Sequence, residues 1–222
     1  MLSRSARIST VCSLCYPVDI VFSAMLKPRK PLILASASPR REILLRQLGL
    51  DFEVRPSYAE DGAVIELQHP AAYARAAAEL KAEVIAAEIS SGYVIGADTI
   101  VVQEGRILGK PEDDTHAMEI LNHLQGHTHQ VITGIAVIHV EDGVMLERTV
   151  EHVSTDVRMR RCTQGELQAY IATGEPRDKA GAYGIQGYGA MFIEGIIGDY
   201  FNVVGLPLCA LVRMLAYLDA FE

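Results

Sequence analysis

Apolar positions along the chain fall into two rhythms, short runs of the kind strands make and spaced stripes of the kind helices make, and these alternate from Leu32 onward. Leu32–Leu34 is wholly apolar and breaks into Ser36, Ser38, Pro39, Arg40 and Arg41, which predicts a strand, a tight turn and a helix start. Ser38 is placed to act as N-cap, with Pro39 in the first helical position where its missing N–H costs nothing. Ile43, Leu44 and Leu48 then form an apolar face ending at Gly49. Asp51–Val54 alternates as a short strand and leads into an acidic loop, Ser57–Gly62. Pro70 opens an alanine-rich helix to about Glu88, and alanine on most of its faces predicts close packing on a neighbour.

The second half continues the alternation. Tyr93–Val102 is a strand-like run interrupted by Gly96–Ala97–Asp98–Thr99, followed by a hairpin turn at Glu104–Gly105, a return over Arg106–Leu108, and Lys110 beyond it. Asp113 or Asp114 caps a helix through Leu124 that closes at Gly126. Thr128–Val140 and Val144–Val157 form an antiparallel pair across Asp142–Gly143. Alternation puts His127 and His129 on one face of the first of these strands, and with no spaced partner ligands they read as structural. Thr163–Glu166 fits a capping box for a helix ending at Gly174. The stretch 174–189 is too glycine-rich for a helix and too patterned for a linker, which suits close approach of backbone to a ligand. Met191–Ile193 and Ile196–Ile197 flank a turn at Glu194–Gly195, and Pro207 begins a terminal amphipathic helix. Strands alternating with helices, plus antiparallel excursions, predict an α/β fold with a mixed sheet.

Half of the 222 residues are hydrophobic, so the chain is globular. A formal charge of −8 argues against the broad basic surface of a nucleic-acid binder, and any polyphosphate must therefore be met by focused cations, a divalent metal, or both. The four cysteines make no disulfide framework and Cys12 and Cys15 lack a second ligand pair for zinc, so they read as reduced thiols in a cytoplasmic protein. No run approaches the length of a membrane-spanning helix. Residues 1–30, serine-rich with Arg4, Arg7 and no acid before Asp19, read as an extension preceding one domain over 31–222. A weak transit sequence, a disordered segment and an upstream start ahead of Met25 all stay open for it.

Two places carry candidate chemistry. Ser36, Ser38, Arg40 and Arg41 converge on a helix N-terminus, whose free N–H groups and dipole already favour an anion and whose arginine forks match phosphate oxygens. Asp98 is a carboxylate inside an apolar run, expensive to bury without compensation. It is either satisfied by backbone N–H groups at a bulge, or a metal ligand or general base. Lys81 on its alanine-rich helix reads by itself as a solvated lysine.

Taken together, Ser36–Arg41, Gly96–Thr99, Gly109–Pro111, Asp178–Gly187 and Val204–Leu208, in that order, resemble the Maf family of nucleoside-triphosphate pyrophosphatases. The resemblance implies hydrolysis between the α and β phosphates with a divalent metal, Mg²⁺ or Mn²⁺. It also implies an elongated mixed sheet with two lobes and a central cleft, similar to inosine triphosphate pyrophosphatases, and commonly a homodimer. By position, Asp98 matches the family's proton acceptor, while Arg41, Lys81 and Lys110 match phosphate-gripping positions, with Ser36 and Ser38 in the same turn. Glu60 or Asp61 is the candidate second carboxylate for the metal. The positions linked to base preference fall on Arg40, Thr99 and Gln186, which resemble the arginine, threonine and glutamine of the branch acting on dTTP and UTP; the 7-methyl-GTP branch differs in having tryptophan, glutamine and glutamate there. A glutamine amide offers uracil or thymine both a donor and an acceptor. Modified purine triphosphates as substrates, and a nucleotide-binding regulator of septum formation, are the competing readings.

Overall fold

In the computed structural model, which describes residues 26–59 and 69–222, the described strands form one mixed sheet. They are β1 (Leu32–Leu34), β2 (Phe52–Val54), β3 (Gly92–Gln103), β4 (Arg106–Leu108), β5 (Thr128–Glu141), β6 (Val144–Met159) and β7 (Ile193–Ile197). Their order is β2-β1-β3-β5-β6-β7, with β4 also on β3; β2, β1 and β3 run parallel and the other pairings are antiparallel. The helices are α1 (Pro39–Gln47), α2 (Pro70–Ala86), α3 (Asp114–Leu124), α4 (Gln164–Ala172), α5 (Tyr200–Val204) and α6 (Leu208–Tyr217). The predicted α/β mixed sheet is thus the architecture.

One feature of the pairing positions everything functional. β1 and β4 lie on the same edge of β3, β1 against Tyr93–Ile95 and β4 against Val101–Gln103. Between them the edge of Gly96–Ile100 has no strand partner among the described residues. β1 runs parallel to β3 and β4 antiparallel, so both end at this gap with their C-terminal residues, Leu34 beside Ile95 and Leu108 beside Val101. A crevice outside the carboxyl ends of strands is where open α/β sheets bind ligands.

Strand alternation sends the even-numbered residues of β3 and β5 to one face, under α2. There Ala78, Ala82 and Ile85 pack on Val94, Ala136 and Ile138. The approach is closer than side chains would allow. A Cβ on Gly134 would sit 2.0 Å from the Ala74 carbonyl oxygen, and one on Gly96 would sit 2.2 Å from that of Ala78. The alanine-rich helix therefore rests its backbone directly on the sheet, as its composition predicts.

The opposite face carries two apolar clusters. One joins α1 and α6 to Leu32, Leu34, Ile95 and Ile135; the other joins α3 and α4 to Val101, Val131, Val157 and Met159. Between them lies the cross-strand pair Thr99 and Thr133. The fully buried Asn202 of α5 lands beside this pair, its Nδ2 donating to the Val131 carbonyl at 2.9 Å and to Thr155 Oγ1 at 2.9 Å. α5 has no counterpart in the sequence reading, because five residues are too few to show a helical period; Asp199 caps it by accepting the Phe201 N–H at 2.7 Å.

Several local expectations are met and several corrected. The capping box of Thr163 and Glu166 has both of its bonds, and Asp113 caps α3 by accepting the His116 N–H at 2.7 Å. Ser38 occupies the N-cap position of α1, but its side chain makes no cap bond; its N–H donates to Ser36 Oγ at 3.2 Å instead. The buried stripe of α1 is Arg41, Leu44 and Leu45, while Ile43 is 65% exposed, because a hydrogen-bonded arginine takes the inward position one turn earlier. Glu194–Gly195 is not a turn: it lies within β7, where Gly195 pairs with Arg158 beside a register shift in β6. His127 lies in the turn before β5 and is exposed, so it shares no strand face with His129. Residues 26–30, assigned to the extension, lie against the chain's end, with Pro28 bridging Phe221 and Lys27 paired with Glu222 at 2.7 Å. Cys12, Cys15 and the rest of residues 1–25 lie outside the described residues.

His129 is structural. It is buried, and its Nε2 lies 2.6 Å from the Tyr183 hydroxyl of the glycine-rich run, tying that run to β5. Burial pushes its pKa down from 6.5 to about 4, a shift only partly opposed by Asp156.

Two stability predictions follow from this packing. Gly134→Ala should cost about 3 kcal/mol, the upper end of overpacking penalties, because the new methyl meets backbone that cannot swing aside; a urea midpoint equal to that of the parent chain would contradict the contact. For His129, the unfolded imidazole takes up a proton near 6.5 and the folded one only near 4, so the unfolded state holds more protons in between. Stability should be fully present above pH 6.5 and fall by about 3 kcal/mol as the pH drops toward 4. His129→Gln should flatten that part of the stability–pH curve, and an unchanged slope would remove His129 as its source.

Candidate functional site

The gap in the sheet delivers Asp98 and Thr99 to opposite faces of one strand at one place. On the α2 side, the Lys81 ammonium lies 2.8 Å from Asp98 Oδ1, with side chains only 6% and 16% exposed. The lysine is not solvated, because the glycine contacts of Ala74 and Ala78 bring α2 down until its next inward turn meets the strand. Asp98 is not held by a bulge either: the β3–β5 ladder runs in register through Asp98 and Gly134. A buried ion pair is weak as a stabilising device, since desolvation of both charges offsets their attraction. Its presence at an open strand edge points to chemistry.

On the other side Arg41 is 8% exposed and knits three segments together. It donates from Nη1 to Ser36 Oγ at 3.1 Å, from Nη2 to Thr99 Oγ1 at 3.1 Å and from Nε to the Gly205 carbonyl at 2.8 Å. The Thr133 hydroxyl donates to the Asn202 carbonyl at 3.0 Å and lies 2.9 Å from Thr99 Oγ1. Thr99 must then give its own proton to Thr133 and present only lone pairs toward Arg41. A directed chain of hydrogen bonds therefore runs from α1 through β3 and β5 to α5.

The rim is built by the glycine-rich run, which forms consecutive 3₁₀ turns over Glu175–Asp178, Ala180–Ala182 and Gly187–Phe192. Gly181, at φ +71°, packs where a Cβ would meet the Val101 side chain at 2.9 Å, and its N–H donates to the Gly109 carbonyl at 3.0 Å, fastening the run to the loop that carries Lys110. Asp178 bridges two cations, Arg40 Nη1 at 3.2 Å and Lys179 Nζ at 2.7 Å. Burial opposes its ionised form, but the hydrogen bond and charge of Lys179, helped by Arg40, outweigh it and hold the pKa below the usual carboxylate range. Gln186 stands exposed on the rim, its Nε2 3.4 Å from the Tyr200 hydroxyl, and Lys110 is exposed at the end of β4.

These parts enclose a cleft of about 450 Å³ lined by every candidate from the sequence except Glu60, which with Asp61 lies outside the described residues. Ser57, Tyr58, Asp178 and Lys179 line it too. The last two lie inside a motif already singled out, and the signal for them is an adjacent acid and base, which are the motif's only charged residues; Ser57 and Tyr58 carried none. In a chain of net charge −8, the described lining holds Arg40, Arg41, Lys81, Lys110 and Lys179 against only Asp98 and Asp178. The positive charge is focused, as an anionic ligand requires. Among the described residues no three His, Cys, Asp or Glu side chains gather as a metal cage, and no helix is long and apolar enough to cross a membrane.

Comparison with known proteins bears on the same span. The chain is 50% identical over 185 residues to a dTTP/UTP pyrophosphatase of Moorella thermoacetica, covering 83% of this chain and 93% of the relative. It is 49% identical over 185 residues to the dTTP/UTP pyrophosphatase of Alkaliphilus metalliredigens, covering 83% and 94%. To that of Dictyoglomus turgidum it is 44% identical over 193 residues, covering 87% and 97%. The family model for Maf-like proteins matches residues 31–218, which take in all the strands and helices that build the cleft, and the chain belongs to that family.

Proposed function

We propose that this protein is a nucleoside triphosphate pyrophosphatase that cleaves dTTP and UTP to the monophosphate and pyrophosphate. The observation that carries the reading is the Lys81–Asp98 pair at a strand edge with no strand partner among the described residues, inside a cleft where the cations of the described lining outnumber its carboxylates. The names of the relatives supply the substrates.

In this reading Asp98 accepts a proton from water as oxygen bonds to the α-phosphorus and the bond to the bridging oxygen of the β-phosphate breaks. Lys81 offsets the charge of Asp98, which would otherwise repel the phosphates, and Lys110 approaches the departing pyrophosphate from the end of β4. Ser36, Ser38 and the N-terminus of α1 receive phosphate oxygens, with Arg41 setting the shape of that turn. Phosphoryl transfer asks a protein mainly for such positioning and charge neutralisation. A single well-placed carboxylate without a protein cage suits Mg²⁺ or Mn²⁺, which is commonly held by one or two carboxylates plus substrate oxygens; Asp98 would hold it, with Glu60 as a second donor. Bound there, the metal would neutralise phosphate charge. Arg40, Thr99 and Gln186 read the base in this scheme, Thr99 beside the Arg41 it holds and Gln186 through its amide.

Pyrophosphate release from dTTP, UTP, CTP, 7-methyl-GTP and ITP, each with Mg²⁺ or Mn²⁺ and with EDTA, tests the reading. Metal-dependent turnover favouring dTTP and UTP is the expected result; preference for a modified purine would leave the hydrolysis standing and remove the base assignment. Asp98→Asn should lower kcat by about 10²–10⁴ while nucleotide binding by calorimetry persists. Lys110→Ala should lower it by about 10²–10³ with no loss of thermal stability, since Lys110 is exposed.

A further inference from the structure

Glu175 begins the glycine-rich run, and its carboxylate gathers donors from two separate segments. Oε2 accepts the Tyr188 N–H at 2.8 Å, and Oε1 accepts the Gly189 N–H at 3.0 Å and the Tyr170 hydroxyl at 3.1 Å. Gly187, between Gln186 and these amides, has φ +72°, and a Cβ there would lie 2.6 Å from Oε2, so the chain wraps the carboxylate at a distance only glycine permits. A Cβ on Gly189 would in turn lie 2.4 Å from the Gly184 carbonyl oxygen, so the two arms of the 184–189 loop lie backbone on backbone. The main chain of Glu175 extends the anchorage: its N–H donates to Thr173 Oγ1 at 3.1 Å, and its carbonyl accepts Lys179 Nζ at 2.8 Å.

Gln186 itself is exposed, and among the described residues its side chain makes one long hydrogen bond, to the Tyr200 hydroxyl at 3.4 Å. Its place at the cleft must therefore come from its backbone, and the backbone that follows it is held by Glu175. We propose that Glu175 is the positioning residue that sets Gln186 for the pyrimidine base, so that base selectivity depends on a carboxylate that does not itself touch the nucleotide. This rests on the base-reading role given to Gln186 above. The arrangement needs a carboxylate and not an amide. Both oxygens are engaged by donors, and a glutamine at 175 would turn its NH₂ toward at least one of those N–H or O–H groups.

The test is steady-state pyrophosphate release from dTTP and CTP by Glu175→Gln, Gln186→Ala, the double variant and Tyr170→Phe. Glu175→Gln should raise KM for dTTP and lower the dTTP/CTP ratio of kcat/KM by about 10-fold, the scale of one lost charge-assisted hydrogen bond. Its kcat should stay within about 3-fold of the parent value. The double variant should be no less selective than Gln186→Ala alone, because both act through one group. Tyr170→Phe, which removes one donor and keeps the ring against Phe192, should move the ratio the same way by a smaller factor. If Gln186→Ala loses selectivity while Glu175→Gln and Tyr170→Phe keep it, or if the two losses multiply in the double variant, the positioning role is overturned and the reading of Gln186 stands. Unchanged selectivity in Gln186→Ala overturns both. Should Glu175→Gln fail to fold, the Tyr170→Phe ratio decides, an unchanged value counting against the proposal.

Discussion

Contact between the backbone of α2 and two glycines of the sheet is the constraint on which the rest of the site depends. Gly96 and Gly134 let the helix settle until the carbonyls of Ala78 and Ala74 occupy the space of the missing side chains. At the wider spacing that interleaved side chains would set, the same lysine amine would be lifted away from the strand. At this closer spacing Lys81 is held against Asp98, in a pair too desolvated to be retained for stability alone. Helix composition, strand glycines and the ion pair are thus consequences of one packing distance.

The opposite face solves a different problem. An uninterrupted apolar face over β3 and β5 would merge the two clusters there and leave no polar route inward from the cleft. Thr99 and Thr133 interrupt it, and Asn202 completes the break from α5. A buried polar network of this kind is worth having only when its donors are directed. Here the direction is forced, since Thr133 spends its proton on a carbonyl and Thr99 must spend its own on Thr133. Arg41 is consequently held from Ser36, Thr99 and Gly205 at once. It belongs as much to the architecture of the turn as to the recognition of an anion.

What was legible in the sequence follows from the range of the forces involved. The strands, the capping box at Thr163 and the closeness of the alanine-rich helix are written locally, in alternation, caps and residue size. So was the anomaly of Asp98, because a carboxylate in an apolar run is conspicuous wherever the run packs. The partner of Asp98 was not legible from the residues alone: nothing within α2 distinguishes Lys81 from a solvated lysine until Gly96 and Gly134 are seen beneath it, and that is a pairing of distant segments. Glu194–Gly195 shows the reverse error, where a local turn signal is overridden by the free edge of β6, which accepts the segment as a strand. Ile43 was misplaced for a related reason. The apolar residues alone do not show that Arg41 turns inward onto Ser36, Thr99 and the Gly205 carbonyl, which leaves Ile43 on the outside of the helix.

Division of labour across β3 gives these pieces a common logic. Successive residues of a strand point to opposite faces, so Asp98 and Thr99 cannot share a neighbourhood unless the strand edge between them is open. The early ending of β1 and the late start of β4's pairing create that opening, and they bring the serine turn and the Lys110 loop to it by their own C-terminal ends. One face then supplies a carboxylate with its counter-charge, and the other supplies a rigid arginine-bearing turn. The glycine-rich run closes the rim between them, with Asp178 balancing Arg40 and Lys179 so that the rim's cations do not repel one another apart. An acidic protein can accept a highly charged anion on these terms because, in a chain that carries −8 as a whole, five cations face only two carboxylates in the described lining, where two faces of a sheet meet at a strand edge without a described strand partner.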